Sequence, residues 1–258
     1  MNKTVKGFKF VTRSMGSMEG KEAPWVIGKW KKLDGPENSF GLCTRGYHAS
    51  ETPLEAFSHA YGGGYRLFKI EARGHIIGNS KVGTFVQAHK FCASEMRLVK
   101  EIPEARQIAV KFALYCAKQA MPIYEKDKHS EIVLRLALRA IKKWLDAKTP
   151  AEKEAAEEVL QTNIKNAEAA YNYIKCNSAR YAINAIRTAA EVPFRAALTF
   201  TSEVSRMAAL AKVESMNEAR KRGRPYLYLA IRDRQNKKLE QIIKEDQKGN
   251  KRKHQRER

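Results

Sequence analysis

Residues 96–120 read MRLVKEIPEARQIAVKFALYCAKQA. Before Pro103, MRLVKEI is a short run of strand type. After it the apolar period changes. Ala109, Phe112, Ala113, Cys116 and Ala120 recur three and four apart, which puts them on one face of a helix. The change of period divides the chain near Pro103, with strands before it and helices after it.

Working outward toward the N-terminus, the pattern is one of short strands joined by turns. KGFKFV (6–11) alternates, and WVIGKW (25–30) follows Pro24. YRLFKIEARG (65–74) sets Leu67, Lys69 and Glu71 opposite Phe68, Ile70 and Ala72. Most of the glycines lie in this half, as turns between strands require. One helix interrupts the strands, with Thr52 as its cap, Pro53 at its first position and LEAFSHA continuing it. The triple glycine 62–64 marks a hairpin or loop, since it does not open a helix as a phosphate cradle would.

Toward the C-terminus, Val133, Leu136, Ala137, Ala140, Ile141 and Trp144 form one helical face over 131–145. Thr149 and Pro150, followed by Glu152, Glu154, Glu157 and Glu158, begin a helix with a cap, a proline and acids at the positive end of the dipole. Ala179, Ala182, Ile183 and Ile186 predict a helix over 177–191, and another follows Pro193 over 196–221. Leu227, Ile231, Leu239, Ile242 and Ile243 make the segment after Pro225 helical too. The many alanines imply close helix approach, in an antiparallel bundle or an array of helical hairpins without a strict repeat. The end of the chain, QKGNKRKHQRER, lacks apolar residues and is expected to be disordered. The reading is an α+β chain: a small β-rich domain at 1–102, an all-α helical domain at 103–247 and a basic tail at 248–258.

Composition narrows the function. A chain of 258 residues with 43% hydrophobic content can bury a core, yet it carries a net charge of +21. Residues 1–103 hold 16 Lys+Arg against 9 Asp+Glu, residues 104–247 hold 27 against 18, and residues 248–258 hold 6 against 1. Such an excess favours a polyanionic partner: nucleic acid, an acidic protein surface or an anionic membrane. No run approaches the ~18 apolar residues of a membrane span, and the N-terminus has no apolar leader. Four scattered cysteines do not form a disulfide framework. The expectation is a soluble, cytoplasmic protein without a cofactor and without membrane attachment.

Several cations recur at helical spacing. Arg135, Arg139 and Lys142 lie at i, i+4 and i+7. Arg180 and Arg187 flank Asn184, and Arg232, Arg234, Lys237 and Lys238 follow downstream. Each set alone is a solvated helix face. If several aligned, they would neutralise roughly 6–10 phosphates and give a log–log salt slope near −0.9 per phosphate. Tyr226 and Tyr228 are packing residues or stacking platforms. Arg222-Gly223-Arg224-Pro225 matches the heart of an AT-hook. The helical pattern after Pro225 instead makes it a basic turn, with Gly223 ending one helix and Pro225 opening the next. A less specific phosphate contact by Arg220, Lys221, Arg222 and Arg224 stays open.

Reactive side chains concentrate in FGLCTRGYHASETP and QAHKFCASEMRLVKEI. Cys43, His48, His89 and Cys92 supply four zinc-type ligands in two pairs, but no CxxC knuckle is present. A Cys–His nucleophile pair has the residue types without a local signature. The order of GYHAS, a short helix and YRLFKIEARG is loosely similar to ADP-ribosyltransferase-like folds, which would make His48 with Glu95 or Glu101 an NAD site. The bland alternative is a tight turn whose His48 and Tyr47 hold neighbouring strands. There is no P-loop, GxGxxG, HExxH or GxSxG motif. Cys116 and Cys176, each on a predicted helix, read as buried.

Two resemblances sharpen this picture. Cys43, Arg45, Gly46, His48, Ala49, Pro53, Leu54 and Phe57, then Glu71, Ala72 and Gly74, then Cys92-Ala93-Ser94 and Val99-Lys100-Glu101-Ile102 match one motif series. That series resembles a small β-rich domain of unknown function common in bacteriophage proteins, with Tyr47 in place of Phe and Ser50 in place of Cys. Downstream, Cys116, Ala117, Pro122, Ile123, Glu125, Ala140, Ile141 and Trp144 are similar to a helical immunity-protein family, with Tyr124 in place of Phe. The resemblances imply a phage or prophage accessory protein and bring no assigned catalytic residue. The expected function is a non-enzymatic, immunity-like or anti-defence protein acting in the infected host cell. Its basic helical surface would engage a host or phage protein effector. The alternatives are a DNA- or RNA-binding accessory protein and the NAD-dependent enzyme.

Overall fold

The computed structural model describes the chain except residues 1–3, 18–22, 37–38, 43–44, 61–64, 79–89, 125–127, 173–176, 192–203, 213–223 and 257–258. It has α+β architecture and divides into two compact units, residues 1–105 with 247–258 and residues 106–246.

The first unit is a five-stranded antiparallel sheet. Its strands are β1 (Val5–Thr12), β2 (Lys31–Lys32), β3 (Tyr47–Ser50), β4 (Tyr65–Gly78) and β5 (Lys90–Ile102), with the short helix α1 (Pro53–Phe57) after β3. The strand order is β2-β5-β3-β1-β4, and β4 also pairs with β5. The ring β5–β3–β1–β4–β5 therefore closes, which removes the open edges that an isolated sheet would expose. Its β3–β1 link is narrow, through the partners Phe8 and Ser50. Alternation along the strands puts Val11, Tyr47, Ala49, Phe68, Ile70, Ala72, Phe91, Ala93, Met96 and Leu98 into one buried cluster with Trp25. On the opposite face, Phe10 pairs with Leu67 and Leu67 with Ile102 across three strands, all buried. Phe57 of α1 covers this row, its ring 5.2 Å from Phe10. Burial of each such side chain contributes roughly 1.5–3 kcal/mol. As predicted, Thr52 caps α1 by accepting from the Glu55 amide, with Pro53 at the helix start.

Two sequence expectations in this unit change. WVIGKW is not a strand: a turn closed by Lys29 N–H to Val26 O, with Gly28 N–H donating to Leu98 O, uses the backbone groups that a ladder would need. Val26 and Ile27 are consequently 52% and 48% exposed, while Trp25 is buried. Conversely, GYHAS forms β3 rather than a tight turn, because Tyr47–Ser50 finds its partners in Lys90–Ala93 of β5. The triple glycine 62–64 lies outside the described residues.

Past Ile102, Pro103 and Glu104 turn the chain into α2 (Ala105–Tyr124). The helices α3 (Lys128–Asp146), α4 (Pro150–Asn172) and α5 (Asn177–Glu191) follow, then α6 over residues 204–212 and α7 (Arg224–Arg256). α2 is more deeply buried than a one-faced pattern implies. Ile108, Ala109 and Val110 are consecutive and all inaccessible, so neighbours surround the helix. α3, α4 and α5 pack on one another. The α3–α4 connection is only residues 147–149, which makes this pair a helical hairpin. Thr149 and Glu152 form a reciprocal cap at the start of α4. Glu152 N–H donates to Thr149 Oγ1 at 3.2 Å, and Glu152 Oε2 accepts from the amides of Thr149 and Lys148. Those amide bonds hold the Glu152 carboxyl below its usual pKa. Of the helix predicted at 196–221, residues 204–212 are described and are helical.

The tail departs from the expectation of disorder. Residues 248–256 continue α7 without a break. Once α7 is nucleated by the turns that bury Ile231, Leu239, Ile242 and Ile243, each further residue needs only propagation, and Lys, Arg and Gln are good helix formers. Cations at a helix C-terminus also sit favourably on its dipole.

Candidate functional site

In the β-rich unit, the densest reactive stretch is organised by the β3–β5 pairing. His48 is the register partner of Cys92, so these two candidates become direct cross-strand neighbours. Cys92 is fully buried and His48 half-buried. Gly46 (φ +140) makes the approach: a Cβ there would stand 3.0 Å from Cys92 Cβ and 3.2 Å from its sulfur. His48 O accepts from Lys9 Nζ at 2.7 Å, which ties β1 to β3. Cys43 and His89, the other two proposed metal ligands, lie outside the described residues. Among the described residues no group of three or more His, Cys, Asp or Glu could hold a metal ion.

The carboxylates considered for an NAD site are engaged elsewhere. Glu95 accepts from Arg73 Nε at 2.7 Å across the β4–β5 ladder, and Glu71 accepts from Arg97 Nη2 at 2.6 Å one step further along. The Arg73 and Arg97 guanidiniums lie 4.1 and 4.8 Å from the Trp30 ring centre, so the ladder also clamps the segment entering β2. Glu101 holds Arg66, with Nε at 2.7 Å. Hydrogen bonding to Glu101 raises the Arg66 pKa further. Glu101 lies nine residues along β5 from Cys92, about 30 Å at 3.3 Å per residue, and Glu95 lies about 10 Å away. The strand does not bring either carboxylate to His48.

Several motif residues acquire structural roles. Gly74 has φ +79 at the irregularity between Arg73 and Ile76, and Ser94 Oγ fills the space beside it, where it accepts from the His75 amide at 2.9 Å. Glu71, Ala72, Gly74, Cys92, Ala93 and Ser94 thus belong to one β4–β5 joint.

The helical unit carries the basic candidates. Arg135, Arg139 and Lys142 are exposed on α3, and Lys142 donates to Asp146 at 2.8 Å. Arg180 is exposed on α5, while Arg187 is partly buried and bonds Asn184 and Glu168. On α7, Arg234 is exposed, Lys237 pairs with Asp233 at 2.8 Å, and Lys238 lies 5.9 Å from the Tyr115 ring centre. Arg224 and Pro225 open α7, which is a helical start and not an extended hook; Arg220, Lys221 and Arg222 lie outside the described residues. The set therefore divides into residues with local carboxylates (Lys142, Arg187, Lys237) and outward ones led by Arg139 and Arg234.

Sequence reasoning missed a polar node among α2, α6 and α7. Ser205 and Gln235 are buried. Ser205 Oγ donates to Gln235 Oε1 at 2.6 Å, Arg232 Nη1 donates to Ser205 Oγ at 2.6 Å, and Gln235 Nε2 donates to Ser205 O at 3.1 Å. Cys116 lies against the same group, its thiol pushed far up by burial and partly opposed by Arg232 and Ser205. The visible signal was Gln235 falling between Ile231 and Leu239 on an apolar row. Arg232 thereby belongs to the interior network and is not an outward cation.

A domain family of unknown function, DUF7666, matches residues 5–109, the β-rich unit and the first turn of α2. No curated protein and no solved structure matches the chain. Among the described residues no helix is long and apolar enough to cross a membrane.

Proposed function

We propose that the chain is a non-enzymatic binding protein whose helical unit engages a negatively charged protein. The carrying observation is the mixed chemistry of its outer surface. Ile132, Leu136 and Val159 are large, apolar and exposed on α3 and α4, and exposed cations such as Arg139 accompany them. A phosphate backbone can satisfy cations but not leucine or isoleucine, whereas a protein surface can satisfy both. The commitment of Glu95 and Glu101 to guanidiniums supports a structural role for the β-rich unit. The resemblances to phage domain families favour a phage or prophage accessory role, immunity-like or anti-defence, in the host cytoplasm.

A second reading, nucleic-acid binding, is favoured by the C-terminal half of α7, where Lys248, Lys251, Arg252, Lys253 and Arg256 lie on one continuous helix. A salt series separates the two. Binding of generic duplex DNA or RNA that weakens steeply with salt, and is lost when these five residues become glutamine, supports nucleic acid. No nucleic-acid binding at low salt, with binding to an acidic protein that depends on α3, supports the first reading.

A further inference from the structure

The outward face of α3 carries four side chains in one row: Ile132, Leu136, Arg139 and Lys143, spaced four, three and four. At 100° per residue they fall within an arc of about 60°, over three turns or roughly 16 Å of helix. The opposite side of the same helix is its core face, where Leu134, Ala137, Ala140, Ile141 and Trp144 are at most 3% exposed. Ile132 and Leu136 are 63% and 43% exposed, so a large part of each aliphatic side chain faces outward. A helix that needs one buried face does not require isoleucine and leucine on the other. The 4-3-4 spacing is that of a seam that receives a second helix.

From this row we infer that α3 is a docking seam for an acidic amphipathic helix of a partner protein. The inference rests on the protein-binding reading above and names the partner's chemistry. Ile132 and Leu136 take the partner's apolar residues at the N-terminal end of the seam. Arg139 and Lys143 meet its carboxylates at the C-terminal end. Asp146, the carboxylate near that end, is held by Lys142 and does not neutralise the row. A second copy of the chain fits poorly. Parallel pairing sets Arg139 against Arg139 and Lys143 against Lys143, and antiparallel pairing sets each aliphatic residue against a cation. A nucleic-acid backbone leaves the aliphatic half uncovered.

The test uses the full-length chain and a synthetic helical peptide of about 20 residues, with leucines in a 4-3-4 seam and flanking glutamates. Two control peptides replace the leucines by alanine or the glutamates by lysine. Fluorescence anisotropy at physiological salt should show the leucine–glutamate peptide binding at least about tenfold more tightly than either control. I132S/L136S should lower that affinity about tenfold or more, and R139E/K143E should lower it and weaken the loss of affinity with added salt. V26S, an exposed position in the β-rich unit and outside the row, should stay within about twofold. Because all these positions are exposed, circular dichroism should confirm unchanged folding.

Four outcomes overturn the inference. If R139E/K143E weakens duplex DNA binding while I132S/L136S changes nothing, the seam is wrong but a basic binding surface stands. If I132S/L136S abolishes binding to anionic phosphatidylglycerol vesicles and the peptide does not bind, the occupant is a lipid surface. If the wild-type chain sediments as a dimer that I132S/L136S disperses, the occupant is a second copy. If neither pair of substitutions changes any binding, both the seam and the protein-binding reading of α3 fail.

Discussion

Replacing Gly74 by alanine tests how β4 and β5 are joined, in a region that holds much of the sequence motif. Gly74 has φ +79, where an L-residue costs roughly 1–2 kcal/mol. The new Cβ would also lie 2.3 Å from Ser94 Oγ. That hydroxyl can rotate away only by giving up the bond it accepts from the His75 amide, a loss of about 1 kcal/mol. Gly74→Ala should therefore cost about 2–3 kcal/mol, the sum of the two effects. Ser94→Ala removes the same bond and should cost about 1 kcal/mol alone. In the double variant the bond is lost once and the clash is gone. The total should stay at about 2–3 kcal/mol, leaving a coupling of about 1 kcal/mol between the sites. The measurement is urea unfolding followed by tryptophan emission in a Trp144→Phe background, where the remaining indoles, Trp25 and Trp30, both report on the β-rich unit. Strict additivity, or a Gly74→Ala variant as stable as its parent, would refute the reasoning.

Three further outcomes follow from the geometry. Trp144 is buried, donates from Nε1 to Glu157 at 2.9 Å and lies under Arg106 and Lys153, so Trp144→Ala should destabilise the helical unit by about 3–5 kcal/mol, whereas Trp144→Phe should cost far less; helical circular dichroism in urea checks both. Burial, and then the nearby Lys90, hold the His59 imidazole below its ordinary value of 6.5, with Glu55 opposing. The unfolded chain then takes up that proton first, so this contribution to stability is full above about pH 6.5 and declines as pH falls through the lowered folded value. Melting temperatures across that range should flatten in His59→Gln, and an unchanged slope would exclude His59 as the cause. Cys92 and Cys116 are buried, and burial raises the Cys116 thiol further, so peptide mapping after mild alkylation should find both unmodified in the native chain and modified in urea.

Much of the fold was legible because its signals are local. The period change at Pro103, the Thr52-Pro53 and Thr149-Pro150 helix starts, and the apolar faces of α3 (except Leu136, which was expected on that face and is 43% exposed) and α5 depend only on residues close in sequence. What failed depended on a distant competitor. WVIGKW looks like a strand until its backbone groups are spent on a turn and on Leu98. GYHAS looks like a turn until Lys90–Ala93 arrives beside it. The C-terminal run looks disordered by composition, yet it inherits a helix nucleated upstream.

The candidate site divides in the same way. Sequence alone established the excess of positive charge, the helical spacing of Arg135, Arg139 and Lys142, and the presence of Cys and His in two short stretches, because these are properties of composition and order. Only the tertiary structure decided which charges are spent internally. It drew Glu95 and Glu101 to arginines across the β4–β5 ladder, drew Arg232 into the Ser205–Gln235 node, and left Ile132 and Leu136 outside the core beside Arg139. Pairing, burial and exposure are set by which elements meet, and a one-dimensional pattern carries that information only where the partners are neighbours in the chain.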